Sequence, residues 1–140
     1  MAQPTKITVA ATIDAPIEKV WTDYTTPEAV KQWNNASDDW HTPDASNDLS
    51  VGGEFVYTMA AKDGSFSFDF KGKYDTVEEH KLIEYTMEDG RQASITFTAD
   101  GLSTNVEIVF DAETQNPAEM QQQGWQAILN NFKAYAETTI

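Results

Sequence analysis

The sequence predicts an α+β domain in which a six-stranded antiparallel sheet, in the order β-α-α-β-β-β-β-β-α, curves around a long C-terminal helix. Two observations carry this prediction. Asp-Gly pairs separate runs of alternating apolar and polar residues, and the C-terminal segment has an apolar stripe at helical spacing. Since 140 residues are the size of one domain, residues 1–140 are expected to fold as a single unit.

One strand and two short helices are predicted before the rest of the sheet. Apolar side chains alternate with Thr and Ala over residues 7–13, as in a half-buried strand. Thr26-Pro27 then has the composition of a helix start, for a second helix ending near Trp33. The helix between them is indicated by apolar residues at i, i+3, i+4 and i+7: Ile17, Val20, Trp21 and Tyr24.

Five further strands are predicted as an antiparallel meander with one apolar and one polar face. Asp-Gly favours tight hairpin turns because Gly adopts positive φ at little cost. The pairs are Asp63-Gly64, Asp89-Gly90 and Asp100-Gly101. The predicted inward face comprises Phe55, Tyr57, Met59, Phe66, Phe68, Phe70, Tyr74, Ile83, Tyr85, Met87, Ala93, Ile95, Phe97, Ala99, Val106, Ile108 and Phe110.

Residues 34–50 are predicted to be a long irregular segment, which carries four Asp and no Lys or Arg. Irregular segments of this length are usually functional or mobile. The Asp spacing does not fit a calcium-binding loop, so a solvated acidic loop is the favoured interpretation.

The C-terminal helix is predicted to pack on the apolar sheet face and to cover only part of it. Its start is indicated by Asn116-Pro117-Ala118-Glu119, which resembles a capping box. A helix covers a strip roughly 10 Å wide, which is narrower than a six-stranded sheet. Either large side chains fill the remaining space or a cavity persists. The stripe consists of Trp125, Ile128, Leu129, Phe132, Tyr135 and Ala136.

Composition argues against several classes of partner and of chemistry. With 23 Asp and Glu against 9 Lys and Arg, the formal charge of −14 repels nucleic acid and anionic membranes. No apolar run is long enough to span a bilayer, and the N-terminus lacks the pattern of a secretion signal. The absence of Cys excludes disulfides and thiolate metal sites, and a cytoplasmic location is expected.

No catalytic, metal or cofactor site is predicted. His41 and His80 are the two histidines and are not spaced as metal ligands. No motif of a nucleophile elbow, P-loop or dinucleotide site is present. Glu54 is expected on the solvent face of a strand. Arg91, the single Arg, could hold a ligand carboxylate or offset the acids of its own hairpin.

An ordered series of segments along nearly the whole chain carries a family resemblance. The segments are APIEKVW at 15–21, TPE at 26–28, KQW at 31–33, VGGEFVY at 51–57, Met59, DG at 63–64, FKGKY at 70–74, LIEYT at 82–86, DGR at 89–91, ITFT at 95–98, GW at 124–125 and Leu129. Together they resemble the helix-grip fold of the START-like (SRPBCC) superfamily. Within it they resemble the bacterial single-domain relatives of the activator of heat shock protein 90 ATPase.

The resemblance also has two departures. Many relatives carry paired Trp where this chain has Trp33-Asn34. The two-domain eukaryotic members add an N-terminal chaperone-binding domain, for which 140 residues are too few. The resemblance therefore implies the fold more strongly than it implies co-chaperone activity.

Three functions remain open from the sequence. The first is a domain that binds an apolar or aromatic small molecule between the sheet and the C-terminal helix, without chemistry. The second is a protein-interaction or co-chaperone-like domain, and the third is an enzyme of the polyketide cyclase or hydratase type. The residues predicted to contact a ligand are Trp33, Trp40, Phe55, Tyr57, Phe68, Phe70, Tyr85, Phe97, Trp125 and Leu129. The oligomeric state is left undetermined.

Overall fold

The computed structural model describes residues 5–138, which form seven strands and three helices. The elements in chain order are β1 (Lys6–Ile13), α1 (Ile17–Thr25), α2 (Pro27–Trp33), β2 (Trp40–Asn47), β3 (Glu54–Ala61), β4 (Ser67–Glu78), β5 (Leu82–Met87), β6 (Gln92–Asp100), β7 (Ser103–Asp111) and α3 (Ala118–Thr138).

All strands belong to one antiparallel sheet in the spatial order β1-β7-β6-β5-β4-β3-β2. The strands from β2 to β7 form a meander, and β1 pairs with β7 in a register that places Lys6 opposite Asp111 and Ile13 opposite Thr104. The predicted α+β architecture, a curved antiparallel sheet with a long C-terminal helix, is confirmed.

The prediction of six strands is wrong, because β2 forms within the segment expected to be irregular. Its sequence, WHTPDASN, lacks alternation of apolar and polar residues, so no pattern indicated a strand here. The strand exists because its backbone pairs with β3 at the sheet edge. Its register shifts between His41 and Asp44, around Pro43, which has no N–H to donate.

The Asp-Gly turns and the inward parity are confirmed for most of the meander. Gly64, Gly90 and Gly101 have φ of 80°, 94° and 63° in the β3–β4, β5–β6 and β6–β7 turns. Phe66 departs from the prediction, because it precedes β4 and is 58% exposed. Ala99 is also exposed, near the end of β6.

Helix α3 packs against β1 and closes the core on that side of the sheet. Trp125 stacks on Phe110 with ring centroids 3.8 Å apart. The largest fully buried side chains at this side come from β1, α1, α2, β7 and α3: Val9, Ile13, Val20, Val30, Val106, Phe110, Leu129 and Phe132.

Side chains of α3 also cover the free edge of β1. Gln126 accepts a hydrogen bond from Ala10 N at 3.4 Å and donates to Ala10 O at 3.1 Å, so its amide acts as a neighbouring strand would. Gln122 Nε2 donates to Thr8 O at 3.1 Å. These bonds satisfy an otherwise open sheet edge and hold α3 over β1. The faces of β3, β4 and β5 are correspondingly less covered.

Candidate functional site

A cavity of about 420 Å³ lies between α3 and the inward faces of β3, β4 and β5, with α1 and α2 at one side. This volume is within the range of small-molecule sites, about 300–1,000 Å³. Seven of the ten predicted ligand residues lie in its wall: Trp33, Phe55, Tyr57, Phe68, Phe70, Tyr85 and Trp125.

Phe55 is the centre of the aromatic wall. It is 2% exposed, and its ring centroid lies 4.8 Å from that of Tyr85 and 5.1 Å from that of Tyr57. The rings of Phe70 and Tyr74 both lie 5.4 Å away. Such tilted and edge-to-face contacts are the favoured geometries of aromatic pairs, so the wall is held by its own side chains.

Gly72 allows this arrangement, since its position on β4 lies directly behind the Phe55 ring. A Cβ at residue 72 would be 2.4 Å from Phe55 Cε2 and 3.1 Å from the carbonyl oxygen of Thr86. The residue is buried, and no side chain larger than hydrogen fits without moving the ring.

Four tyrosines, which we call the tyrosine cluster, supply phenolic hydroxyl groups to the wall: Tyr24, Tyr57, Tyr74 and Tyr85. Burial raises the pKa of every one of these hydroxyls above its usual value, so all four stay protonated at neutral pH. Asn47 Nδ2 lies 3.5 Å from the Tyr74 hydroxyl and donates to Thr25 O at 2.7 Å.

The opening of the cavity is marked by Phe68 and Met120, which are 43% and 57% exposed. Arg91 and Glu113 also border the cavity. Arg91 Nε donates to Asp89 Oδ2 at 2.7 Å, so the guanidinium is paired within its own hairpin, one of the two roles that the sequence allowed. Burial raises the pKa of Asp89, but its hydrogen bonds to Arg91 and the guanidinium charge outweigh that effect and lower it.

Three of the ten predicted residues lie outside the wall. Trp40, at the start of β2, packs its ring 6.1 Å from that of Phe68. Phe97 lies under α1, with its ring 5.1 Å from that of Trp21. Leu129 lies on the buried face of α3 and is 1% exposed in the core. Parity predicts the face of a strand or helix on which a side chain lies, but not whether that stretch borders the cavity.

The wall also contains residues that were not predicted as ligand contacts, among them Tyr24 from α1, Asn34, Met59, Tyr74, Gln121 and Ile128. Tyr24, Met59, Tyr74 and Ile128 belong to apolar patterns that are equally typical of a core. Asn34 directly follows Trp33, and the sequence marked it only as the position where many relatives carry a second Trp.

The other candidate residues lie away from the cavity. Glu54 and His41 are exposed, on β3 and β2. His80, in the β4–β5 turn, lies edge-on to Trp21 with ring centroids 6.0 Å apart. Within residues 5–138, no three His, Asp or Glu side chains are grouped as metal ligands. Over the same residues, every helix is too short or too polar to cross a membrane.

The fold and the cavity between sheet and helix define a helix-grip protein of the START-like type. A family model described as Activator of Hsp90 ATPase homolog 1-like protein matches residues 14–137. The chain belongs to this family, as the resemblance implied. A comparison with curated proteins gives no match.

Solved structures support the same assignment. An AHSA1-like protein from Aeromonas hydrophila is 45% identical, with 95% of this chain and 92% of that chain covered and a TM-score of 0.89. A protein from Cytophaga hutchinsonii is 56% identical, with 94% and 92% covered and a TM-score of 0.82. A protein from Chromobacterium violaceum, 22% identical over 97% and 100%, shares the fold with a TM-score of 0.84. Family membership is consistent with a ligand-binding or co-chaperone-like domain in general.

Proposed function

We propose that the protein binds an apolar or aromatic small molecule in the cavity between the sheet and α3, without chemical conversion. The observation that carries this proposal is the cavity of about 420 Å³, whose wall is mainly apolar and rich in aromatic rings. A closed aromatic core would have no such space, because protein interiors are packed nearly without voids larger than water. Binding sites for small molecules combine apolar walls with a few polar groups in this way.

The protonation state of the tyrosine hydroxyls argues against their acting as general bases. A general base at neutral pH must be largely deprotonated, whereas burial raises the pKa of the tyrosine cluster. Glu113, at the cavity border, is hydrogen-bonded through Oε1 to the backbone N–H and side chain of Asn116, both at 2.7 Å. We propose the cytoplasm as the compartment, in keeping with a chain without Cys.

A cavity-filling substitution provides the test. Gly124 lies on α3 in the cavity wall, and a Cβ there would meet nothing within 4 Å. Gly124→Leu therefore begins its side chain in open space at the cavity wall and replaces a poor helix former. We expect it to keep the fold while weakening binding of the uncharged fluorescent probe N-phenyl-1-naphthylamine by about ten-fold or more, or ~1.4 kcal/mol.

The matched control is Ala134→Leu, on an exposed position of the same helix. It should bind the probe as the unsubstituted protein does, in a fluorescence titration at equal protein concentration. Equal binding by Gly124→Leu and the unsubstituted protein would show that the probe does not occupy this cavity, and would remove the support for the proposal.

A second candidate, a co-chaperone-like role, is favoured by exposed aromatics near the opening. Phe66 is 58% exposed, and its ring centroid lies 6.1 Å from that of Trp40 and 6.0 Å from that of Phe68. If this surface contacts an Hsp90, Phe66→Ser should lower stimulation of its ATPase rate, while Gly124→Leu should not. Absence of stimulation by the unsubstituted protein would exclude this role.

A further inference from the structure

The tyrosine cluster contains two kinds of hydroxyl. Those of Tyr57 and Tyr74 interact with each other and with Asn47. Those of Tyr24 and Tyr85 have no hydrogen-bond partner among residues 5–138, although both side chains lie in the cavity wall. Neither of these two oxygens is fully enclosed, so both hydroxyls are open to the cavity and can donate to a molecule that occupies it.

Packing alone does not require hydroxyls at these two positions. The Tyr24 ring contacts Phe132 and Phe97 edge-on at 5.2 and 5.6 Å, and the Tyr85 ring contacts Phe55 edge-on at 4.8 Å. Phe would make the same ring contacts without burying a polar group. The hydroxyls therefore point to a partner that is not part of the protein.

The four tyrosines of the cluster line one and the same cavity. They come from α1, β3, β4 and β5, on both sides of the cavity. Convergence of donors from separate elements is the usual form of a polar subsite in an apolar pocket.

A further residue of the cavity wall, Asn34, has an unpaired donor, but this donor atom is closed off from the cavity itself. Asn34 is 7% exposed, and its Nδ2 is the one fully enclosed side-chain polar atom without a hydrogen bond among the described residues. Its backbone is satisfied, since its N–H donates to Val30 O at 3.0 Å and its carbonyl accepts from Thr42 Oγ1 at 2.6 Å. The side-chain amide is thus held at the wall with donor capacity to spare.

We propose that the hydroxyls of Tyr24 and Tyr85 form a donor subsite that recognises a neutral acceptor oxygen, of the ketone, ester or amide kind, on an otherwise apolar ligand. This inference rests on the proposed function and names the ligand class. A carbonyl oxygen has two lone pairs, so it can accept from either hydroxyl or from both. An anionic oxygen suits the subsite less, because the burial that disfavours a phenolate disfavours a carboxylate in the same way.

Two probes of nearly equal shape separate the hydrogen bond from apolar burial. These are 2-acetylnaphthalene, which carries a ketone, and 2-isopropenylnaphthalene, in which a CH₂ group replaces the ketone oxygen. In Tyr24→Phe and Tyr85→Phe we expect the affinity for the ketone to fall about three- to ten-fold, the range of one neutral hydrogen bond. The affinity for the alkene should change less than about two-fold, since the apolar contacts remain. Titration by tryptophan fluorescence gives both values.

Two control variants sharpen the test. Tyr74→Phe removes a hydroxyl of the same cluster that already has partners, so its effect on ketone binding should be smaller than that of Tyr24→Phe. Tyr135→Phe removes a hydroxyl of α3 outside the cavity wall and should leave both affinities unchanged. The infrared carbonyl band of the bound ketone should lie at lower frequency in the unsubstituted protein than in Tyr24→Phe/Tyr85→Phe.

The outcomes separate this inference from the proposed function. If the Tyr→Phe variants lose equal affinity for the ketone and the alkene, or lose affinity for neither, the donor subsite is overturned. The proposal that the cavity binds a small molecule would still stand. Tighter binding of 2-naphthoate than of the ketone at pH 7 would overturn the neutral acceptor. If neither naphthalene binds to the unsubstituted protein, both the proposed function and the donor subsite are contradicted.

Discussion

Two halves of the inward sheet face carry apolar side chains in the same alternation, but they differ in how tightly these side chains are packed. On the closed side, formed by β1 and β7 under α3, Val9, Ile13 and Phe110 are at most 2% exposed. On the open side, formed by β3, β4 and β5, Tyr57 and Phe70 are only partly buried and border the cavity. Both sides carry large apolar side chains, so composition does not explain the difference.

The attachment of α3 explains it. Gln122 and Gln126 bind the backbone of β1, and this places the helix over the closed side. One helix is roughly 10 Å wide and cannot cover seven strands. The open side is instead lined by aromatic rings that support one another, and the space they leave is the cavity. The position of the cavity therefore depends on where the helix is anchored.

The largest expected effect comes from truncating one Phe on each side. Phe132 lies on the buried face of α3, is fully buried, and has ring contacts to Tyr24 and Trp33. Phe132→Ala should therefore lower the free energy of unfolding by about 3–5 kcal/mol. Phe70→Ala, at the cavity wall, should cost about half as much or less, because part of its surface already lacks protein contacts. Urea denaturation measures both, and equal losses would contradict the distinction between the two sides.

Gly72→Ala should disturb the open side by displacing the Phe55 ring from its position next to residue 72. Its Cβ would force the Phe55 ring toward the cavity, at a cost of about 1–3 kcal/mol in unfolding free energy. Binding of N-phenyl-1-naphthylamine should weaken as the cavity shrinks. Gly124→Ala is the matched control, and we expect it to stabilise the protein by about 0.5–1 kcal/mol because it removes a mid-helix Gly. A destabilised Gly124→Ala or an unaffected Gly72→Ala would argue against these roles.

Thr104→Val probes a polar contact on the closed side. Thr104 is fully buried, and its Oγ1 donates to Ala15 O at 2.9 Å. Val has the same shape but leaves that carbonyl without its partner, so thermal or urea unfolding should show a loss of about 1–2 kcal/mol. Thr12→Val, which removes an exposed hydroxyl bonded to Asn105, should change stability by less than about 0.5 kcal/mol. Similar losses for both variants would contradict this assignment.

The smallest effect concerns acid stability at the end of β7. Burial raises the pKa of Asp111, but hydrogen bonds from Lys6 and from Gln92 N–H and the nearby positive charges outweigh it and hold the pKa below the usual value. A carboxyl with a lowered folded pKa contributes stability above its unfolded pKa, about 4, and this contribution is lost as the pH falls further.

Asp111→Asn should therefore be less stable than the unsubstituted protein at pH 7, and the difference should shrink below about pH 4. Since Lys6 is largely exposed, its ion pair adds little. Urea denaturation between pH 7 and pH 3 measures the difference, and a constant difference over that range would contradict a stabilising role for the ionised carboxylate.

Much of the fold could be predicted because its signals are local. The alternation along β3 to β7, the Asp-Gly turns and the stripe of α3 depend on neighbouring residues and on backbone conformations that Gly permits. β2 could not be predicted, since WHTPDASN pairs only because β3 presents a free edge. Seven of the ten predicted site residues lie in the cavity wall, while Phe97 and Leu129 share the same patterns and lie in the core.

The sequence by itself therefore determined most of the side chains that face inward, because periodicity follows from backbone geometry. Only the tertiary structure decided which of those side chains border empty space. That outcome depends on contacts between residues far apart in the chain, such as Gln126 with Ala10. It also depends on how the rings of Phe55, Tyr74 and Tyr85 pack against one another while α3 is anchored at the opposite edge of the sheet.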